Sequence, residues 1–333
     1  SRIQQQLPTV LSANGWIIRT MISNPLGKGL SIQSIVSTGS SIPFYWLPQS
    51  QKSTQHVWNT LELWYFGAAG GATLSVEIDS ISVGSVNTSL LTGFQKATFT
   101  VATNKQHSVK VTASGAGAEI LGFNCYTSGL NAVRVNAIGQ TGAKASHYLS
   151  ADTAIWNPQF RALSPTIVFV NLGTNNRATG QSLSAYKTEM KSLVAMLRRA
   201  KSNIDICLIG QVDLSTSFGT PIAPAARYND VLREIALEDS VAYFDTDQVF
   251  GSFLQRTQTS KLALIAADGV HPTNDGGYVI SNSIINAMIP FDRHNVREGI
   301  LRTYGYTDPA AATGYTPNRI PVINNNGTLV TDN

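Results

Sequence analysis

The chain has 333 residues, which is enough for two domains of ordinary size, each with its own core. Charged residues make up 13% of the sequence, against about 25% in a typical globular domain, so the polar surface must come from Ser, Thr, Asn, Gln and Gly. The net charge of +4 is small and scattered, which excludes the basic stripe that nucleic acid requires, and no apolar stretch approaches the ~18 residues of a membrane span.

The first predicted element is a short amphipathic helix over residues 2–13. Four apolar residues recur there at helical spacing, and they are Ile3, Leu7, Val10 and Leu11. Asn14-Gly15 is a turn signal that ends the predicted helix.

From about residue 30 to 126 the hydrophobic period is two. Leu74, Val76 and Ile78 alternate with polar neighbours, and residues 61–65 repeat the pattern with Glu62 and Trp64 on the opposite face. Gly-rich turns separate such runs. Many short strands at this spacing predict an antiparallel β-sandwich.

After residue 130 apolar strands alternate with helical patterns. Strands are predicted near residues 132–138, 166–170, 204–209 and 241–244, and helices near residues 183–197, 228–235 and 278–288. This alternation predicts an α/β fold, with a parallel sheet between helices. Cys125 and Cys207 lie in apolar runs, which favours two buried free thiols over a disulfide.

Two polar motifs follow strands in this half of the chain, where ligand sites of open α/β sheets form. Residues 137–143 contain Gly139, whose missing side chain lets a backbone N–H approach a ligand closely. Residues 171–176 contain Asn175, whose amide can donate to a developing oxyanion. Taken alone, each motif is also typical of an ordinary turn.

A third motif, residues 268–273, reads Asp-Gly-Val-His-Pro-Thr. Hydrolysis by a serine needs a base that titrates near neutral pH and an anion that orients it. Asp268 and His271 can supply both from one loop, and the alternative is a turn with a surface histidine. No group of residues has convincing metal-ligand spacing, so no metal is expected.

The order of the three motifs resembles the SGNH hydrolase family, also called GDSL-type esterases, over about residues 131–290. The resemblance implies that Gly139 and Asn175 are oxyanion donors, that His271 is the general base and that Asp268 orients it. It also implies a three-layer hydrolase domain that needs no cofactor. The third block of the family reads Gly-x-Asn-Asp, and Asn176 stands here in place of the last Asp.

The first block of the family is a Gly-Asp-Ser turn that carries the nucleophile, and this tripeptide does not occur in the sequence. The nearest match is residues 38–41, Thr-Gly-Ser-Ser, but it lies within the β-rich stretch. Some SGNH esterases that act on polysaccharides carry a β-sandwich between their first and second blocks. Residues 2–13 would then follow the serine turn, and we expect the serine upstream of Ser1, on a companion N-terminal segment.

These patterns predict an α/β hydrolase domain of SGNH type with an inserted antiparallel β-sandwich domain. The predicted regions are an N-terminal helix of the hydrolase domain in residues 1–29, a carbohydrate-binding-like sandwich in 30–130, the hydrolase domain in 131–302 and an extended tail in 303–333.

The resemblance implies a carbohydrate O-acetyl esterase, or deacetylase, that acts on a polysaccharide by a Ser–His–Asp mechanism. Trp46, Trp58 and Trp64 are candidates for stacking on sugars, although aromatic residues of strands are more often core. The alternative is a non-enzymatic glycan-binding or receptor-binding module on a decayed hydrolase fold, which the missing serine favours.

The low charge, the absence of a visible signal peptide and the Asn- and Gly-rich C-terminal stretch would suit a phage tail spike. Such a protein is extracellular or virion-associated and acts on acetylated polysaccharide of a bacterial surface. We expect no nucleic-acid or membrane partner, and a homo-oligomer is compatible with the sequence.

Overall fold

The computed structural model describes residues 2–4, 15–40, 43–46, 57–130, 133–212, 225–250, 264–266, 271–288, 322–323 and 329–330. The chain forms two compact units, Ser1–His271 and Pro272–Asn333. The first unit contains the strands β1 (Arg2–Gln4), β2 (Trp16–Arg19), β3 (Ser34–Ser37), β4 (Pro43–Trp46), β5 (Trp58–Gly67), β6 (Thr73–Ile78), β7 (Ile81–Asn87), β8 (Gly93–Lys105), β9 (Val109–Ala113), β10 (Glu119–Tyr126), β11 (Val135–Ala137), β12 (Ile167–Val170), β13 (Asp205–Ile209) and β14 (Ala242–Phe244). Its helices are α1 (Ala145–Leu149), α2 (Thr153–Leu163), α3 (Thr174–Ala178), α4 (Leu183–Ala200), α5 (Ala225–Glu238) and α6 (Thr246–Phe250).

Two antiparallel sheets occupy the first part of this unit, with strand orders β2-β3-β10-β5-β8 and β4-β9-β6-β7. One apolar core takes residues from both sheets, among them Leu61 of β5 and Val76 of β6. On β6 the predicted alternation is observed, because Leu74, Val76 and Ile78 are all buried. The predicted antiparallel strands are therefore confirmed, and their insertion into a hydrolase domain stays a prediction.

Strand β5 departs from the simple alternation because both of its faces are covered. Leu61 and Leu63 belong to the core between the sheets. Trp64, which faces the other way, belongs to a second core that also contains Trp156 and Phe160 of α2. The period-two pattern describes a sheet with one face in water, and here the outer face of β5 contributes to the core that contains residues of α2.

The second core lies around a parallel sheet of three strands in the order β12-β13-β14. Buried residues of α4 and α5, such as Met190 and Leu232, belong to this core. The predicted α/β alternation is thus confirmed for these strands and for the helices between them. Cys125 and Cys207 are both free and buried, as predicted.

Helix α2 was not predicted from the hydrophobic pattern. Asp152 caps its N-terminus by accepting a hydrogen bond from the Ala154 N–H at 2.9 Å. Trp156 and Phe160, one turn apart, stack with ring centroids 4.9 Å apart. The Trp156 indole N–H donates to the Leu30 carbonyl at 3.1 Å, which ties the helix to the segment between β2 and β3.

The predicted N-terminal helix is wrong at residues 2–4, which form β1 and pair in parallel with β11. The pairing gives the backbone hydrogen-bonding groups of Arg2–Gln4 a partner strand, and tertiary pairing of this kind overrides a helical pattern built on four apolar residues. The rest of the predicted helix, residues 5–13, lies outside the described residues.

The second unit contains α7 (Asn274–Met288) and a short antiparallel pair, β15 (Val322–Ile323) with β16 (Leu329–Val330). The predicted C-terminal helix is confirmed by α7. None of the helices that the structure describes is both long enough and apolar enough to cross a membrane.

Candidate functional site

Two of the predicted site residues lie on neighbouring loops at the carboxyl ends of β11 and β12. Gly139 follows β11 and is exposed, and Asn175 is the second residue of α3, just after β12. The Asn175 side-chain amide, Nδ2, donates to the Ala143 carbonyl at 3.0 Å. Because an amide nitrogen carries two hydrogens, this contact orients the Asn175 side chain and leaves its second N–H for another acceptor.

A hydrogen bond from helix α1 holds the Gly139 loop in place. The buried Tyr148 hydroxyl donates to the Ile138 carbonyl at 2.8 Å. Burial raises the pKa of Tyr148 to about 12, so the hydroxyl keeps its proton and remains a donor. Within the loop, the Ala143 N–H donates to the Gln140 carbonyl at 3.1 Å. These bonds fix the backbone on both sides of Gly139.

Gly173, at the start of α3, is required by the local geometry. Its φ of +136° lies in a region that favours glycine. A Cβ at this position would overlap the Gln211 side-chain amide and the Tyr186 hydroxyl. Gly173 thus lets the turn that carries Asn175 pack directly on these two side chains.

The side chains that follow Asn175 are buried and polar, and their importance was missed in the sequence. Asn176 is fully buried, and its Nδ2 donates to Gln181 Oε1 and to Glu189 Oε2, the latter at 3.2 Å. The Arg177 guanidinium is 1% exposed and donates to the Val212 carbonyl at 2.8 Å. Both residues therefore anchor α3 to the elements around it.

A second polar cluster joins the loop that follows β13 to helices α4 and α5. The Gln211 N–H donates to Asn229 Oδ1 at 2.8 Å, and Asn229 Nδ2 donates back to the Gln211 carbonyl at 2.9 Å. The Tyr186 hydroxyl donates to the Leu172 carbonyl at 3.0 Å and contacts the Gln211 amide at 3.2 Å. The sequence signal for this cluster was the polar Gln211 two residues after the apolar strand β13.

Of the third motif, the structure describes residues 271–273. His271 is exposed, and its carbonyl accepts from the Ala266 N–H at 2.8 Å, which closes the loop between the two residues. Asp268, within that loop, lies outside the described residues. The pairing of Asp268 with His271, and the place of His271 beside Asn175, stay predictions.

Two of the three tryptophans proposed to stack on sugars are core residues. Trp58 is fully buried and packs edge-on against His107 with ring centroids 4.7 Å apart. Trp64 is 1% exposed, and its indole N–H donates to Glu62 Oε2 at 3.1 Å. The stacking hypothesis is wrong for both, because neither ring face is open to a ligand. The Trp46 side chain lies outside the described residues.

The other described histidines have structural roles. His107 is buried between Asp79 Oδ2, 2.8 Å from its Nδ1, and the Thr103 carbonyl, 3.0 Å from its Nε2. His147 accepts from the Lys144 N–H at 3.1 Å, and burial together with the Lys144 charge lowers the pKa of His147. His56 and His294 lie outside the described residues. Where the structure is described, no group of three or more His, Cys, Asp or Glu could hold a metal ion.

A surface depression lies at the other edge of the parallel sheet. It is lined at the amino ends of β12, β13 and β14, for example by Ile167, Asp205 and Ala242. Catalytic groups of open α/β sheets gather at the carboxyl ends of strands, and none of the candidate residues lines this depression. We therefore place the candidate site at the Gly139 and Asn175 loops.

Comparison with known proteins supports an SGNH-like hydrolase fold. Residues 113–277 match the sequence profile of the GDSL-like Lipase/Acylhydrolase family. The chain is similar in structure to a peptidoglycan O-acetylesterase, with a TM-score of 0.61 and 17% sequence identity over 86% of this chain and 77% of the other. At this level of identity the likeness concerns the fold.

A looser structural match is a family two carbohydrate esterase from Clostridium thermocellum, in complex with cellohexaose. It has 11% identity and a TM-score of 0.32 over 88% of this chain and 100% of the other. No curated protein sequence matches the chain significantly.

Proposed function

We propose that this chain is the hydrolase part of an SGNH-type serine esterase that removes O-acetyl groups from a polysaccharide. The observation that carries the proposal is the hydrogen bond from Asn175 Nδ2 to the Ala143 carbonyl. It joins the two loops that hold the proposed oxyanion donors, within the region that matches the GDSL-like Lipase/Acylhydrolase profile.

In the proposed mechanism, a serine hydroxyl attacks the acetyl carbonyl while His271 takes the hydroxyl proton. Asp268 orients the imidazole and stabilises its charged form. The Gly139 N–H and the Asn175 amide donate to the oxyanion of the tetrahedral intermediate. His271 then protonates the departing sugar oxygen, which leaves as a hydroxyl, and water releases acetate from the acyl-enzyme in a second, similar step. No metal or organic cofactor takes part.

The proposal leaves the nucleophilic serine outside residues 1–333, because no Gly-Asp-Ser turn occurs among them. The predicted helix over residues 2–13 no longer supports this placement, since residues 2–4 form strand β1. Strand β12 ends the described parallel sheet on one side, and its Phe169 is 39% exposed. An edge strand with unpaired backbone groups can accept a further strand. We propose that a companion segment pairs there and brings the serine to the carboxyl edge of the sheet.

The proposed substrate is an acetylated polysaccharide outside the cell. The protein itself would then be extracellular or part of a virion. The fold likeness to a peptidoglycan O-acetylesterase supports an acetylated glycan as the first substrate to test. Trp58 and Trp64 take no part in binding it, since both are buried.

A second candidate function is glycan or receptor binding without catalysis. The absence of a Gly-Asp-Ser turn favours it, because a hydrolase fold that has lost its nucleophile can still bind a glycan. The two functions differ in one respect that can be measured: only the esterase releases acetate.

The test is acetate release from acetylated peptidoglycan and acetylated xylan, with the chain alone and with the chain joined to any segment encoded upstream of Ser1. We expect release in the second case and its loss in His271→Gln. Glycan binding in both cases with no acetate release from either preparation would support the binding module and reject the esterase.

A further inference from the structure

The sequence departs from the Gly-x-Asn-Asp pattern at Asn176, and the structure places a carboxylate beside that residue from another helix. We infer that Glu189, on α4, is a positioning residue that sets the orientation of the Asn175 amide through Asn176 and Gln181. This inference rests on the proposed function, in which Asn175 is an oxyanion donor.

Three side chains form a closed ring of hydrogen bonds. Asn176 Nδ2 donates to Gln181 Oε1 and, at 3.2 Å, to Glu189 Oε2. Gln181 Nε2 donates to Glu189 Oε1 at 2.7 Å. An ionised carboxylate only accepts, so Glu189 dictates which end each amide presents. Reversing either amide would place an oxygen against a carboxylate oxygen.

This ring holds the helix that carries Asn175. Asn176 is fully buried and is the next residue of α3, which has only five residues. The Asn176 carbonyl accepts from the Gln181 N–H at 3.0 Å, and the Gln181 carbonyl accepts from the Tyr228 hydroxyl. Since α3 is a single short turn of helix, a shift of the Asn176 side chain must move Asn175 and its bond to the Ala143 carbonyl.

The ring depends on a carboxylate at position 189, because both terminal oxygens of Glu189 accept, one from Asn176 and the other from Gln181. A glutamine there has one oxygen and one nitrogen, so Glu189→Gln loses one of the two acceptors. In Asn176→Asp, the new carboxylate would face the Glu189 carboxylate with no donor between them.

The experiment compares Glu189→Gln and Asn176→Asp with wild type. Glu234→Gln is the control, because it removes a carboxylate of α5 from an exposed ion pair with Lys187 of α4. The first readout is the side-chain amide resonance of Asn175, assigned by its loss in Asn175→Ala. The second readout is kcat and KM for acetate release by the active preparation.

We expect each single variant to shift or broaden the Asn175 resonance and to lower kcat about 10- to 100-fold, with KM changed less than kcat. The control Glu234→Gln should give near-wild-type values. If Glu189→Gln does not fold, Glu189→Asp keeps the charge with a shorter reach and should give a smaller shift in the same direction.

An unchanged Asn175 resonance in both variants would overturn the inference, as would an equal shift in the Glu234→Gln control. If wild type releases no acetate, the proposed esterase fails, whereas the resonance still decides whether Glu189 positions Asn175. The two failures are therefore distinguishable.

Discussion

Asn175 is the residue on which the proposed chemistry depends most directly. One N–H of its amide is held by the Ala143 carbonyl at 3.0 Å, so the other is already oriented before a substrate arrives. Donors fixed in advance stabilise a developing oxyanion without a cost of reorganisation.

We predict that Asn175→Ala lowers kcat for acetyl-ester hydrolysis by ~10²-fold or more, as for loss of other oxyanion donors. Asn203→Ala is a suitable control, because Asn203 is exposed near the amino end of β13. Steady-state kinetics on an active preparation provide the measurement. A kcat equal to that of wild type would remove Asn175 from the site.

Gly139 and Gly173 should respond differently to alanine. At Gly173 the positive φ and the overlap with Gln211 and Tyr186 predict a loss of about 1–3 kcal/mol in the free energy of unfolding. At Gly139 a Cβ would meet nothing within 4 Å, so the stability should change by about 0.5 kcal/mol or less. Urea unfolding of both variants is the measurement, and equal losses would contradict this difference.

The sequence singled out Gly139 and Asn175 as candidates because each follows a predicted strand and the order of the motifs resembles the SGNH family, and their role as oxyanion donors stays a prediction. It could not identify Asn176, Gln181 and Glu189 as a unit, since Glu189 joins the other two only when α4 packs beside α3. Trp64 was wrongly predicted to be a candidate for sugar stacking. The sequence pattern of an aromatic residue on the second face of a strand is the same whether that face is exposed to water or buried in a core, and here it is buried.

At the scale of elements, the loop between Ala266 and His271 holds the proposed acid–base pair. The Ala266 N–H bond to the His271 carbonyl fixes the two ends of this loop close together. We predict that Asp268→Ala, His271→Ala and the double variant lose similar amounts of activity, because residues that act as one catalytic pair give non-additive losses. Losses that add as independent terms would show that the two residues act separately.

The contact between β5 and α2 allows a test of the corrected role of Trp64. Its indole lies in one core with Trp156 and Phe160 and donates to the buried Glu62. Trp64→Ala should lower the free energy of unfolding by about 3–5 kcal/mol. Tyr45→Ala, which changes an aromatic side chain that is 65% exposed, should cost about 0.5 kcal/mol or less. If the Trp64 variant kept its stability but lost glycan binding, the sugar-stacking hypothesis would return.

The sequence predicted the long helices but missed strand β1 and helix α2, and each outcome has a physical reason. Long periodic segments such as α4 and α5 were found because burial of one face imposes their pattern. The short strand β1 was missed because its pairing with β11, more than 130 residues later, leaves no local pattern. Helix α2 was missed because its stacked Trp156 and Phe160 lie in a core formed by residues distant in the sequence, such as Trp64 and Met190.

At the scale of the whole molecule, Trp64 and Leu121 of the antiparallel sheet share one core with α2, α4 and α5. The part of the unit formed by residues 16–126 is thus packed directly against the part that carries the candidate site. Sequence patterns located the change in architecture near residue 130, but they could not show this shared core, because it depends on which faces the two parts present to each other.

The measurement that tests the proposed esterase most directly is the mapping of a serine-reactive fluorophosphonate label by peptide mass spectrometry. It is applied to an acetate-releasing preparation and to its His271→Gln variant. We predict a single labelled serine upstream of Ser1, with labelling strongly reduced in the variant. A labelled serine within residues 1–333, or no label on an active preparation, would contradict the proposed site.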